Sequence, residues 1–378
     1  MKNILVCLLI TLLLSCNHEP NFDLSILDVK RIDIETAQID NVDIYINQDR
    51  VVLIQNADLK NLVAKETVNA KGAFAIPGLW DNHIHFRGGE SLLKDNEMFL
   101  EQLIDYGITS VRDAGGDLAI SIKRWQLEIS KNERIGPTIF TSGPKIDGRN
   151  PTWQGSLEVE SEAELDQALD SLEQLEVDFI KIYDSKLNGR LFLSALKKSK
   201  TRGFKSSGHM PFSVTLNQAL DAGMNGVEHL YYILKGSSKD ELEITKQFQS
   251  GTLGFWQAMP LLINSYDDAT AQSLFNKLKQ LEVFVIPTLY IGNTLSYLDE
   301  IDHSNDEYLN SLSPSFKRTY ERRIKSSRNS SPETRANRKK LDTLFGKLAL
   351  KLHESGVKLM AGSDAGAYNS YIYPGPSL

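Results

Sequence analysis

The chain has 378 residues, 41% hydrophobic and 24% charged, which is enough for a barrel-sized core and too much for one small module. A formal net charge of -7 and a pI near 5.6 lack the basic excess of a nucleic-acid binder, so no nucleic-acid partner is expected. The only cysteines are Cys7 and Cys16, which argues against an internal disulfide framework.

At the N-terminus, Lys2 precedes an apolar run from Ile4 to Leu14, far short of the roughly 20 residues of a membrane-spanning helix. It reads as the core of a signal peptide, residues 1–16, ending in Leu13-Leu14-Ser15-Cys16. That ending resembles a bacterial lipobox. Cleavage before Cys16 and lipidation there would give an exported lipoprotein, anchored to a membrane and facing the periplasm or cell surface. A secretory signal without lipidation is the alternative. Residues 17–23 form a polar tether.

Residues 24–75 read as a small β-sandwich-like domain, with Asp43–Ile46 and Arg50–Ile54 flanking the hairpin signal Asn47-Gln48-Asp49. From 76 to 378, apolar runs alternate with helical periodicity. The runs are Leu79–Ile84, introduced by Phe74–Pro77, then Ile108–Arg112, Thr138–Thr141, Val177–Tyr183, Phe204–His209, Gly226–Leu230, Val283–Leu289 and Val357–Ser363. Near-continuous apolar strands alternating with helices predict an α/β fold with a parallel sheet, here a (β/α)8 TIM barrel. Before the last run, Lys317 to Lys340 is densely basic, with only Glu321 and Glu333 in opposition. It reads as a solvated helical excursion, the other reading being a patch facing anionic lipid.

Most candidate ligands sit where these runs end. His83 and His85, two apart on a strand, point to one face and can reach one ion. Lys181 interrupts the apolar run Val177–Tyr183, where an ammonium is poorly hydrated and its pKa falls. His209, His229 and Asp364 close the fifth, sixth and eighth runs. Each alone is weak. Together they occupy the C-terminal strand ends, where catalytic residues of this fold gather, while His18, His303 and His353 fall in tether, loop and helix.

The order His-x-His, Lys, His, His, Asp resembles the amidohydrolase superfamily. So do Ile76–His85, Thr109–Asp117, Val227–Leu230 and Ala361–Gly366, which resemble its imidazolonepropionase-like branch with metal-dependent Xaa-Pro dipeptidases. The resemblance implies two divalent metals, zinc foremost and manganese or cobalt next. His83, His85 and Asp364 would hold one, His209 and His229 the other, with carbamylated Lys181 between them. It further implies a metal-activated hydroxide as nucleophile and Asp364 as catalytic base and then acid. Family members continue past the eighth strand with a helix and a return to the small β domain. The barrel is therefore expected to be C-terminally incomplete at Leu378.

Tyr183 and Tyr231, just beyond Lys181 and His229, are candidate substrate contacts, as is Arg112, although an ion pair with Asp113 or Asp117 accounts for the arginine equally well. The expected substrate is a small amide, a dipeptide or N-acyl amino acid. The rivals are a cyclic-amide hydrolase or deaminase on the same scaffold, and a non-catalytic solute-binding lipoprotein. No Gly-x-Ser-x-Gly elbow supports a serine hydrolase.

Overall fold

The computed structural model describes residues 21–60, 62–302 and 312–366. The signal peptide, Cys16 and the expected chain end after 366 lie outside the described residues, and so do His18 and His303. The chain divides into two compact units at Pro77/Gly78. Among the described residues, no helix is long and apolar enough to cross a membrane.

The first unit is one sheet of β1 (Phe22–Ile32), β2 (Ile39–Asn47), β3 (Arg50–Asn56), β4 (Ala64–Asn69) and β5 (Phe74–Ala75). Its order is β3-β2-β1-β4, with β5 also pairing β1. A sandwich-like pair of sheets was expected. Instead, among the described residues, every strand of this segment hydrogen-bonds into one sheet. β1 begins at Phe22, inside the segment expected to be tether. The hairpin turns where expected, with Gln48 at φ 56°. Tyr45 is fully buried, and its hydroxyl accepts from the Leu62 amide at 3.1 Å.

The second unit holds β6 (Leu79–His85), β7 (Ile108–Asp113), β8 (Thr138–Thr141), β9 (Ile146–Asp147), β10 (Leu157–Glu158), β11 (Ile180–Ile182), β12 (Ser206–Gly208), β13 (Gly226–Glu228), β14 (Phe284–Ile286), β15 (Lys358–Leu359) and β16 (Ala365–Gly366). All pair in parallel, in two sheets ordered β16-β6-β7-β8 and β10-β9-β11-β12-β13-β14-β15. Two backbone hydrogen bonds of 2.9 Å link the sheets, from Asp178 to Thr141 O beside β8 and from Asn82 in β6 to Ala361 O beyond β15.

The helices between them are α1 (Leu93–Asp105), α2 (Ala119–Ser130), α3 (Glu162–Gln174), α4 (Gly189–Thr201), α5 (Leu216–Ala222), α6 (Tyr231–Gly236), α7 (Glu241–Gln249), α8 (Phe255–Ser265), α9 (Asp268–Gln280), α10 (Leu289–Tyr297), α11 (Pro314–Arg328) and α12 (Pro332–Glu354). Several have explicit start signals. Ser161 and Glu164 form a capping box at α3, Thr215 and Gln218 another at α5, and Ser331 caps α12 ahead of Pro332. Their apolar faces bury Leu169, Phe192, Leu196 and Leu274 against the strands. β11 and β13 are buried throughout, as strands covered on both faces must be.

Strand spacing beside the ligands is tight. A Cβ at Gly208 would stand 1.9 Å from the Ile182 carbonyl oxygen. Relief requires the backbone of β11 and β12 to separate, because no rotamer change moves a carbonyl. Gly208→Ala is therefore expected to destabilise the protein by about 1–3 kcal/mol, read by urea denaturation. Unchanged stability would refute this register.

Candidate functional site

His83 and His85 leave β6 on one face, their rings 5.1 Å apart. Asp364, at φ 60° between β15 and β16, turns its carboxylate toward both, with Oδ1 3.5 Å from His83 Nε2 and 3.0 Å from His85 Nε2. The ligand atoms of these residues all lie within 4.8 Å of one another, compatible with one divalent ion. His209 and His229 follow β12 and β13, their Nε2 atoms 3.0 Å apart. His229, at φ 66°, also brings its ring within 4.9 Å of that of His83.

Each imidazole is oriented through its other nitrogen. Nδ1 of His83 faces Glu228 Oε2 at 2.6 Å, that of His85 the Gly115 carbonyl at 2.8 Å, and that of His229 the Thr288 hydroxyl at 2.6 Å. Nδ1 of His209 lies 3.6 Å from Asp184 Oδ1. With Nδ1 carrying the proton, Nε2 of His83 and His85 presents its lone pair to the Asp364 side and Nε2 of His209 and His229 face each other, so all four lone pairs are left for a metal. Burial lowers the pKa of all four, that of His229 to about 4, so the rings are neutral and ready to ligate. Burial opposes ionisation of Asp364, yet His83, His85 and His229 hold its carboxyl well below the ordinary range.

Lys181 in β11 is fully buried, and burial brings its pKa down to about 8 against the pull of Glu228. Its Nζ lies 3.6 Å from Glu228 Oε1 and has no hydrogen-bond partner among the described residues; His83 Nε2 has none either. The orphaned His83 Nε2, beside the Asp364 carboxylate and the convergent imidazoles, fits a bound cation, and the lowered pKa of Lys181 makes its neutral, nucleophilic amine accessible. All six sequence-derived ligands thus lie in this one region of the second unit.

Among the other candidates, Tyr183 and Tyr231 line a cavity of about 710 Å3 that also exposes His209, His229 and Asp364. Tyr183 stacks 4.2 Å from the His209 ring, and burial raises the Tyr231 phenol to about 12. Arg112 does not line the cavity. Its guanidinium donates to Asn82 O, Ser207 Oγ and Glu228 Oε1, so the ion-pair account holds with Glu228 in place of Asp113 or Asp117. Arg112 thus faces the sheet interior rather than the cavity.

Glu228 itself had no role in the sequence reading. A carboxylate in the apolar run directly before His229 is the same signal that marked Lys181. Arg112, Lys181 and His83 hold Glu228 ionised although burial works against it. Asp81 was also missed; it receives the His83 and Ser363 amides at 3.1 and 3.0 Å and fixes the approach of Asp364 to β6. Asp184, raised to about 7 mainly by burial, and Thr288, at φ 45° after β14, complete the surroundings of His209 and His229.

No family model matches the chain. An adenine deaminase of Thermosipho africanus is 35% identical over 89 residues, 24% of this chain and only 14% of that protein's length. Among solved structures, a bottromycin amidohydrolase aligns with TM-score 0.67 and 20% identity, covering 93% of this chain and 71% of its own. A Xaa-Pro dipeptidase with methionine bound in its active site aligns with TM-score 0.61 and 16% identity, covering 93% and 80%. The two solved structures share the fold of this chain, and the deaminase match is confined to an 89-residue stretch.

Folding couples to the histidines. In ion-free protein an unfolded imidazole titrates near 6.5 and folded His229 at about 4, so between these values the unfolded chain binds more protons. The contribution of His229 is present above that window and lost as pH falls through it. Chelated protein should denature more readily at about pH 5 than at about pH 7, and His229→Gln should narrow the difference. An unchanged difference in the variant would remove His229 from the buried cluster.

Proposed function

We propose that the chain is a metal-dependent hydrolase of the amidohydrolase type that cleaves an amide C–N bond in a dipeptide or N-acyl amino acid. The observation that carries this reading is the convergence of His83, His85, His209, His229 and Asp364 beside the buried Lys181, with His209, His229 and Asp364 lining a cavity. The two hydrogen bonds between the sheets support reading β6, β7, β8, β11, β12, β13, β14 and β15 as one closed barrel.

In this reading His83, His85 and Asp364 would hold one divalent ion and His209 and His229 a second, and the Lys181 amine, by adding carbon dioxide and releasing a proton, would supply a further anionic ligand as its carbamate. Bound divalent ions supply Lewis acidity toward a carbonyl and acidify water. Asp364 takes the proton from the attacking water and passes it to the leaving nitrogen. Glu228, through His83, and Thr288, through His229, keep the rings oriented. A cavity of about 710 Å3 is large enough for a dipeptide-sized ligand.

Metal analysis with a screen of dipeptides and N-acyl amino acids tests the proposal. Two ions per chain and release of free amine are expected, with Lys181→Met lowering occupancy toward one. One ion per chain with unmodified Lys181 would overturn the two-metal reading. The local likeness to adenine deaminase favours a second reading, in which the same site releases ammonia from an aminopurine. Turnover of adenine and of no amide would establish it.

We further infer lipid anchoring at Cys16, from the lipobox-like ending of the apolar leader. In a bacterial host, Cys16→Ala should move the protein from the membrane fraction to the soluble one; an unchanged distribution would argue against the anchor.

A further inference from the structure

The basic segment Lys317–Lys340 does not act as one solvated face. Arg318, Lys325, Arg328 and Lys340 are exposed, while Arg335 lies 3.6 Å from Asp299 and Lys339 pairs with Glu300. Arg323 of α11 and Arg338 of α12 do neither. Both are half-buried in the wall of the cavity that exposes His209, His229 and Asp364. Among the described residues neither guanidinium has a carboxylate within ion-pair distance; Arg338 reaches only Ser330 Oγ, at 3.5 Å. Burial lowers the pKa of Arg323, the mark of a cation losing water without full compensation. A half-buried guanidinium with free donors is a fork suited to a planar oxyanion.

Beside these arginines the wall is aromatic. Tyr231 packs against Phe255 at 5.2 Å and Phe345 at 5.0 Å, and Trp256, 58% exposed, lies 6.2 Å from Tyr231. Such rings accept a large apolar group and leave a charged one poorly solvated.

We propose that Arg323 and Arg338 form the subsite for the free carboxylate of the substrate, and that the aromatic wall receives a large apolar side chain on the same residue. The substrate class is then an N-acyl amino acid, or a dipeptide, ending in an aromatic or bulky aliphatic residue. This deepens the amide-hydrolase reading and rests on it for the reaction, but its recognition element is separate.

The test uses the zinc-loaded chain and two non-reacting probes, L-phenylalanine and L-phenylalaninamide, by titration calorimetry. The same protein is assayed on N-acetyl-L-phenylalanine, its carboxamide and N-acetylglycine. Wild type should bind the carboxylate probe at least about 10-fold more tightly than the amide. Arg323→Gln and Arg338→Gln should each shrink that ratio with bound zinc unchanged, and Arg338→Lys should keep part of it. KM for the carboxylate substrate should rise more than kcat falls, and N-acetylglycine should be the poorer substrate. Equal affinity of wild type for both probes, or a ratio untouched by the substitutions, would overturn the arginine subsite. Discrimination without turnover of any amide would leave the subsite standing and remove the hydrolase reading. Turnover without discrimination would do the reverse.

Discussion

Glu228 has no exposure to solvent, yet residues of four other strands lean on its carboxylate. One oxygen meets His83 Nδ1 from β6, and the other receives Arg112 from β7 and the Ser207 hydroxyl from β12, with Lys181 of β11 just beyond hydrogen-bond reach. A carboxylate so deeply buried persists only because these positive and donor groups surround it. In return it sets the His83 ring and offsets charge around Lys181. The interaction therefore joins the interior of the parallel sheets to the ligands at their ends, and disturbing it reaches both.

Backbone strain is also present at the same place. His229 and Thr288, after β13 and β14, and Asp364, directly before β16, are non-glycine residues in the left-handed region. Such conformations cost free energy and persist where surrounding contacts enforce them. Here each turns a side chain back over the strand ends, so that His229 Nε2 meets His209 and Asp364 meets both histidines of β6. A relaxed extended residue would carry the side chain onward along the strand.

The ligands were legible because chemistry interrupts pattern. An imidazole, amine or carboxylate within or just after an apolar run loses hydration, and it persists there only with a partner or a ligand to compensate. Glu228 carried the same signal but was hidden by its neighbour His229, since period-two alternation assigns adjacent residues to opposite faces. That rule fails here because His229 leaves the strand. Helices α6 to α8 follow the sixth strand in close succession, and Pro260 inside α8 is a residue that sequence patterning reads as a helix break. The orientation of Arg323 and Arg338 was not readable either, because burial within a uniformly basic segment depends on what α10 and the sixth-strand helices place opposite it. The small unit's single sheet was missed because strand count and hairpin pattern do not distinguish one layer from two.

The cavity wall and its floor come from different parts of the chain. The metal-binding candidates are scattered one by one over strand ends from His83 to Asp364, whereas Arg323, Arg338 and Phe345 come from two consecutive helices, α11 and α12. Scattered residues cannot change together without disturbing the sheets, while a contiguous pair of helices can change as a block. Substitutions in those two helices can therefore reshape the cavity wall without touching the strand ends that carry the ligand candidates.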